Sequence, residues 1–109
     1  AASDLYKVQA EMRNSVLRLS ELVSQSLDLM VKNIDSSNEK DHFEASAKIE
    51  REINRLFAAL KVDYIEKVEK GKYRIQSGMY YSDLLSEMER IADHAATIST
   101  TLSSSDLQN

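Results

Sequence analysis

Apolar residues recur along this chain at steps of three and four, in three long runs separated by short polar breaks. The first run is Leu5, Val8, Met12, Val16, Leu19, Val23, Leu27, Met30 and Ile34. Its steps average close to 3.6 residues, the period of a nearly straight α-helix rather than of a tightly supercoiled heptad seam. The pattern predicts a helix over about residues 4–34, roughly 45 Å long. Ser3 stands where an N-cap would, and Asp4 suits the positive end of the helix dipole. Leu17, Leu22 and Leu29 fall off the stripe. They predict a second apolar contact, with the third helix or with another chain.

The second run is Phe43, Ala47, Ile53, Phe57, Leu60, Tyr64 and Val68, and predicts a helix over about residues 38–70. The break before it, Asp35-Ser-Ser-Asn38, carries start signals: Ser36 with Glu39 fits a capping box, and Asn38 is a rival cap. Gly71 is a natural residue just past the helix end, and Lys67 and Lys70 suit its last turn. The third run is Leu84, Met88, Ile91, Ala95, Ile98 and Leu102, widened by Tyr81, Leu85, Ala92 and Ala96. It predicts a helix over about residues 74–102. Gly78 either weakens its opening turns or admits a close neighbour. Ser103 to Asn109 reads as a polar, disordered tail. Three long helices and two short turns predict an all-α fold, a three-helix up-down-up antiparallel bundle forming one domain over residues 1–109.

Composition sharpens this picture. The 109 residues include no proline, two glycines and no cysteine. Few breakers favour long helices, and the lack of thiols excludes disulfides, thiolate metal sites and a cysteine nucleophile. A formal net charge of −4 argues against nucleic acid as a partner. No apolar run approaches the roughly 20 residues that cross a membrane. The start, Ala-Ala-Ser-Asp-Leu5, lacks an initiator methionine and reads as cut from a longer chain. The sequence has no Gly-x-Ser-x-Gly elbow and no phosphate-cradling glycine loop, so catalysis is not expected.

The candidate chemistry is carboxylate. Glu89 and Asp93 lie one turn apart at the edge of the third stripe. Like charges at that spacing cost an isolated helix roughly 0.2–0.5 kcal/mol. Either both face water, with Arg90 relieving Asp93, or their oxygens converge on a cation. Glu50 and Asn54 repeat the spacing on the second helix. Hard cations need oxygen ligands from separate elements. Each pair lies about 20 residues from Gly71, roughly 30 Å along its helix, so an antiparallel pairing brings them level. Other candidates are weaker. Glu39-x-x-His42 has the spacing of a di-iron motif, but His94 supplies no second copy. Lys67, Lys70, Lys72 and Arg74 read either as a solvated helix end or as a contact for an acidic or membrane surface. Tyr80 and Tyr81 read as core or rim packing.

Glu89-Arg-Ile-Ala-Asp93-His-Ala, after an aromatic residue and two leucines, resembles the signature helix of the PhoU family. Glu50-Arg-Glu-Ile-Asn54-Arg-Leu resembles its partner motif, with asparagine where the family usually has aspartate. The resemblance covers roughly residues 5–102 in helix order. It implies a single PhoU-like repeat that regulates phosphate uptake without catalysis. A divalent or ferric metal ion would be held by Glu50, Asn54, Glu89 and Asp93, more weakly for having three carboxylates. It further implies a homo-oligomer or a second PhoU-like repeat as partner. In a sodium/phosphate cotransporter, the transporter membrane domain would be a partner too. The domain would then be cytoplasmic, tethered to the inner face of the membrane. The alternative is a plain helical interaction or oligomerisation module without ligand.

Overall fold

The computed structural model describes the backbone of residues 2–35 and 40–108, and the side chains of residues 5–35 and 43–102. Helix α1 spans Ala2–Asp35, α2 spans Lys40–Glu69 and α3 spans Ile75–Gln108. Each helix packs on both others, in a rod of 61 × 18 × 18 Å. The result is the expected all-α, up-down-up bundle, with no strand among the described residues.

The ends differ in detail from the sequence expectation. Helix α1 already includes Ala2, so Ser3 lies in its first turn and is not an N-cap. The expected capping signals Ser36, Asn38 and Glu39 lie outside the described residues. Helix α3 does not stop near Leu102 but continues to Gln108. The reason is local: serine and aspartate are mediocre helix formers, yet Ser103 to Gln108 contains no glycine or proline to end the helix. The end of α2 is as expected. Gly71 has φ +65°, its N–H reaches the Val68 carbonyl at 3.0 Å, and the Lys72 N–H reaches the Lys67 carbonyl at 2.9 Å. Those paired bonds are a Schellman closure, which needs a residue that tolerates the left-handed region.

The core centres on Leu19 and Ile53, both fully buried, with Leu22, Val23, Tyr81, Leu85 and Ala92 around them. Full burial of each large aliphatic side chain contributes roughly 1.5–3 kcal/mol. The stripes are rotated from the expected ones. On α1, Leu22 is core, whereas Leu27 and Ile34 are exposed. On α2, Ile49 and Leu56 pack on the core, while Ala47 and Val68 face water. On α3, Tyr81, Leu85, Ala92, Ala95 and Ser99 face inward, leaving Leu84, Ile91 and Ile98 outside. The physical reason is width. The apolar sector of α1 and of α3 is broader than a helix buries against two neighbours, and inspection of spacing alone does not say which edge turns in.

Two polar or aromatic knots hold the ends. Near the α2–α3 turn, the rings of Tyr64, Tyr73 and Tyr81 lie 5.5–6.1 Å apart, a distance at which aromatic pairs gain beyond burial. Gly78 makes room there: a Cβ on it would stand 3.3 Å from the Tyr73 Cβ. Beside them Lys67 donates to Glu11 at 2.7 Å and to Asp63 at 2.8 Å, tying α2 to α1. Burial alone would lower the Lys67 pKa, but the hydrogen bonds to Asp63 and Glu11 outweigh it and hold it above the ordinary lysine value. Toward the other end, Asn33 is fully buried. Its Nδ2 donates to Ser46 at 2.9 Å and to Ser99 at 3.0 Å, so one side chain joins all three helices.

Candidate functional site

The four candidate residues fall along the outer edge of the α2–α3 interface. Glu50, half-buried on α2, lines a cavity of about 220 Å³ with Ser46 of its own helix and Ala96, Ser99 and Thr100 of α3. Farther toward the turn, Phe57, Lys61 and Tyr64 share a cleft with Ser82, Leu85 and Ser86. These two sets fix the antiparallel register. Glu50 is level with Ala96 and Lys61 with Leu85, so Asn54 comes level with Ala92, and Glu89 with Phe57. The two motifs therefore overlap within the same stretch of groove, and are strung along about two helical turns. Asn54 and Asp93 sit one turn on from their partners and are exposed, while Glu50 and Glu89 are half-buried.

The electrostatics of this edge are specific. Partial burial pushes the Glu89 carboxyl above its ordinary range, and the Asp93 carboxylate adds to the rise. Lys61, across the groove on α2, pulls it back. Arg90 pairs with Glu87 at 3.4 Å, a partner other than the Asp93 that spacing suggested. The donor set is oxygen-rich and suited to a hard cation. Among the described residues, however, no three His, Cys, Asp or Glu side chains converge closely enough to hold a metal ion. The linear spread of the motifs accounts for this, together with a lysine beside Glu89.

Sequence reasoning missed three features of this surface and its support. Lys61 was readable as the basic residue on the same face as Asn54 and Phe57 of α2, at steps of seven and four. The Asp63–Lys67 pair was readable as an acid–base step of four. The Asn33–Ser46–Ser99 tie was not, because it depends on three polar residues from three helices meeting in space. The remaining candidates are as follows. His94 is exposed, and the side chain of His42 lies outside the described residues. Lys70, Lys72 and Arg74 are exposed around the turn. No described helix is long and apolar enough to cross a membrane.

Three helices with a carboxylate-bearing groove between α2 and α3 define a small helical domain whose polar chemistry lies on its outer faces. The family model of the PhoU domain matches residues 16–102, and the chain belongs to that family, one of phosphate-transport regulators rather than enzymes. No curated protein sequence and no solved structure matches it.

Proposed function

We propose that this chain is a regulatory domain of a sodium/phosphate cotransporter, acting at the cytoplasmic face of the membrane against the transporter membrane domain. The observation that supports the reading is that Glu50 of α2 and the Glu89–Asp93 pair of α3 lie along the same α2–α3 groove of a PhoU-family bundle. In this reading the groove takes a hard divalent or ferric cation. Glu89 and Asp93 supply charge from α3, Glu50 supplies it from α2, and Asn54 supplies a neutral carbonyl oxygen. Bound metal would take over from Lys61 the partial neutralisation of Glu89 and draw the two helices together along their polar edge. That gives a transporter a signal to read, a change in charge and stiffness on one face.

Two arms test the reading. Thermal melting with manganese, magnesium, zinc and ferric ions compares the wild type with Glu89→Gln/Asp93→Asn. At a metal concentration 100 times the Kd the wild type should gain about 2.7 kcal/mol, and the double variant should respond to none of the ions. Equal responses would remove the metal from the account. Phosphate uptake, measured in cells carrying the wild-type domain, the double variant or no domain, tests regulation separately. Unaltered uptake on complete loss of the domain would remove the transport role.

A further inference from the structure

Small side chains face each other where the α2–α3 cavity opens. Ser46 and Ala47 of α2 meet Ala96, Ser99 and Thr100 of α3, with Phe43 and Glu50 a turn to either side on α2. At about 220 Å³ the cavity holds several times the roughly 30 Å³ of one water, yet falls short of the roughly 300 Å³ at which small-molecule sites begin. Its size is that of one large side chain. Its lining is of two kinds: Phe43, Ala47 and Ala96 are apolar, and three hydroxyls stand beside the Glu50 carboxylate. Behind the two serines the wall is closed by Asn33 of α1, which is fully buried. Its amide is aimed between them, Nδ2 donating to Ser46 at 2.9 Å and to Ser99 at 3.0 Å. Its Oδ1 is buried too and accepts no hydrogen bond among the described residues. A carbonyl desolvated without a donor is costly and uncommon in folded proteins. The reverse placement of the amide would strand both Nδ2 protons instead, a larger loss. Each serine oxygen, having taken one proton from Nδ2, keeps a second lone pair. The unmet acceptor, the serine lone pairs and the carboxylate together call for donors that carry positive charge.

We propose that this cavity is a socket for an arginine side chain presented by a partner protein. A guanidinium carries donors along its edges and no acceptor. It pairs with a carboxylate such as Glu50 through two hydrogen bonds at once, and it stacks on an aromatic face such as that of Phe43. Its methylene stem suits Ala47 and Ala96 at the mouth. Lysine brings a compact, strongly hydrated point charge, which matches a wall of spread acceptors less well. A bare metal ion fits worse, since no three His, Cys, Asp or Glu side chains converge among the described residues. Asp93, exposed and three residues before Ala96, adds negative charge beside the mouth and steers a basic segment toward it. The socket rests on the cavity and on Asn33. It needs neither Glu89 nor a role in phosphate transport, and chelator in the buffer separates it from metal binding.

Nuclear magnetic resonance of the ¹⁵N-labelled protein in excess EDTA tests it. The probe is the peptide acetyl-Gly-Arg-Gly-amide, beside its lysine and citrulline counterparts; citrulline keeps the shape of arginine and loses the charge. The arginine peptide should bind with a Kd on the order of 1 mM. It should shift the backbone amides of Ser46, Glu50, Ala96 and Ser99 and the side-chain NH2 of Asn33 together. The lysine peptide should bind several-fold more weakly, and the citrulline peptide should leave Asn33 unmoved. Free arginine brings its own carboxylate toward Glu50 and should bind more weakly than the peptide. Glu50→Gln should weaken the arginine peptide about 10-fold or more. Ala96→Leu and, independently, Ala47→Leu fill the cavity from opposite walls. Each should stay helical by circular dichroism and abolish the shift at Asn33. Lysine or citrulline peptides that bind as tightly as the arginine peptide overturn the proposal, as does free arginine that binds more tightly. So do filled variants that still respond, or shifts scattered over Asp28, Glu66 and Glu69 with the Asn33 resonance unmoved.

Discussion

Helix α3 borders two outer grooves, and the two are built from opposite materials. Toward α2 it presents Glu89 and Asp93, opposite Glu50, Asn54 and Lys61. Toward α1 it presents Leu84, Ile91 and Ile98, opposite Leu27, Val31 and Ile34. Between them runs a narrow buried row, Tyr81, Leu85, Ala92 and Ala95. The contrast shows that an amphipathic helix in a three-helix bundle has two flanks as well as a core face, and that the flanks hold chemistry the core does not require. A bundle selected for stability alone would gain by replacing the exposed leucine and isoleucines with charge, and by separating the acidic pair.

Neighbouring leucines break the comparison most sharply. Leu85→Ala opens the core and should cost about 2–5 kcal/mol in denaturant unfolding. Leu84→Ala, one residue earlier but facing the outer groove, should change stability by about 0.5 kcal/mol or less. Comparable losses at both positions would place the core face of α3 elsewhere. Next in size is the tie between the grooves. Asn33→Ala removes the hydrogen bonds to Ser46 and Ser99 and should cost about 1–3 kcal/mol. Amide exchange should then speed up at the Ser99 end of α3 more than at Tyr81.

A pH scan gives a smaller effect with a defined sign. Burial pushes the Tyr73 hydroxyl up to about 12 from an ordinary 10.0. Tyr81, Asp63 and Glu11 add to the rise, and Lys67 opposes it. Between about pH 10 and 12 the unfolded chain loses this proton first, so stability should fall across that window and not below it. Tyr73→Phe should flatten the fall. The smallest effect is on the acidic flank. Glu89→Gln removes a like-charge neighbour of Asp93 and should raise stability by about 0.2–0.5 kcal/mol near neutrality. Because the folded-state pKa of Glu89 is raised, the wild type sheds this penalty as pH falls through that pKa, and the gain should vanish in acid.

The helices were legible because stripes at steps of three and four run along helices of 30 and 34 residues that contain no proline. Gly71 was legible for a conformational reason, its positive φ. The identity of the inward edge was not. Leu84, Ile91 and Ile98 are as apolar as the residues that replaced them inside, and the choice is made by Ala92, Ala95 and Ser99, whose small size lets α1 and α2 approach. The height of the acidic motifs was readable by counting from Gly71, since antiparallel helices convert residue number into position. The placement of Lys61 on the groove about one turn from Glu89 needed the rotation of α2 as well, which counting does not supply.

The proposed cation site lies on the α2–α3 flank and not on the α1–α3 flank. Paramagnetic manganese added in small steps to the ¹⁵N-labelled protein tests it most directly, because broadening reports distance from the ion. The account predicts that the amides of Glu50–Asn54 and Glu89–Asp93 broaden first and together, while Leu17 through Ile34 stay sharp. Weak broadening spread evenly over Asp28, Glu66, Glu69 and the other surface carboxylates would contradict it.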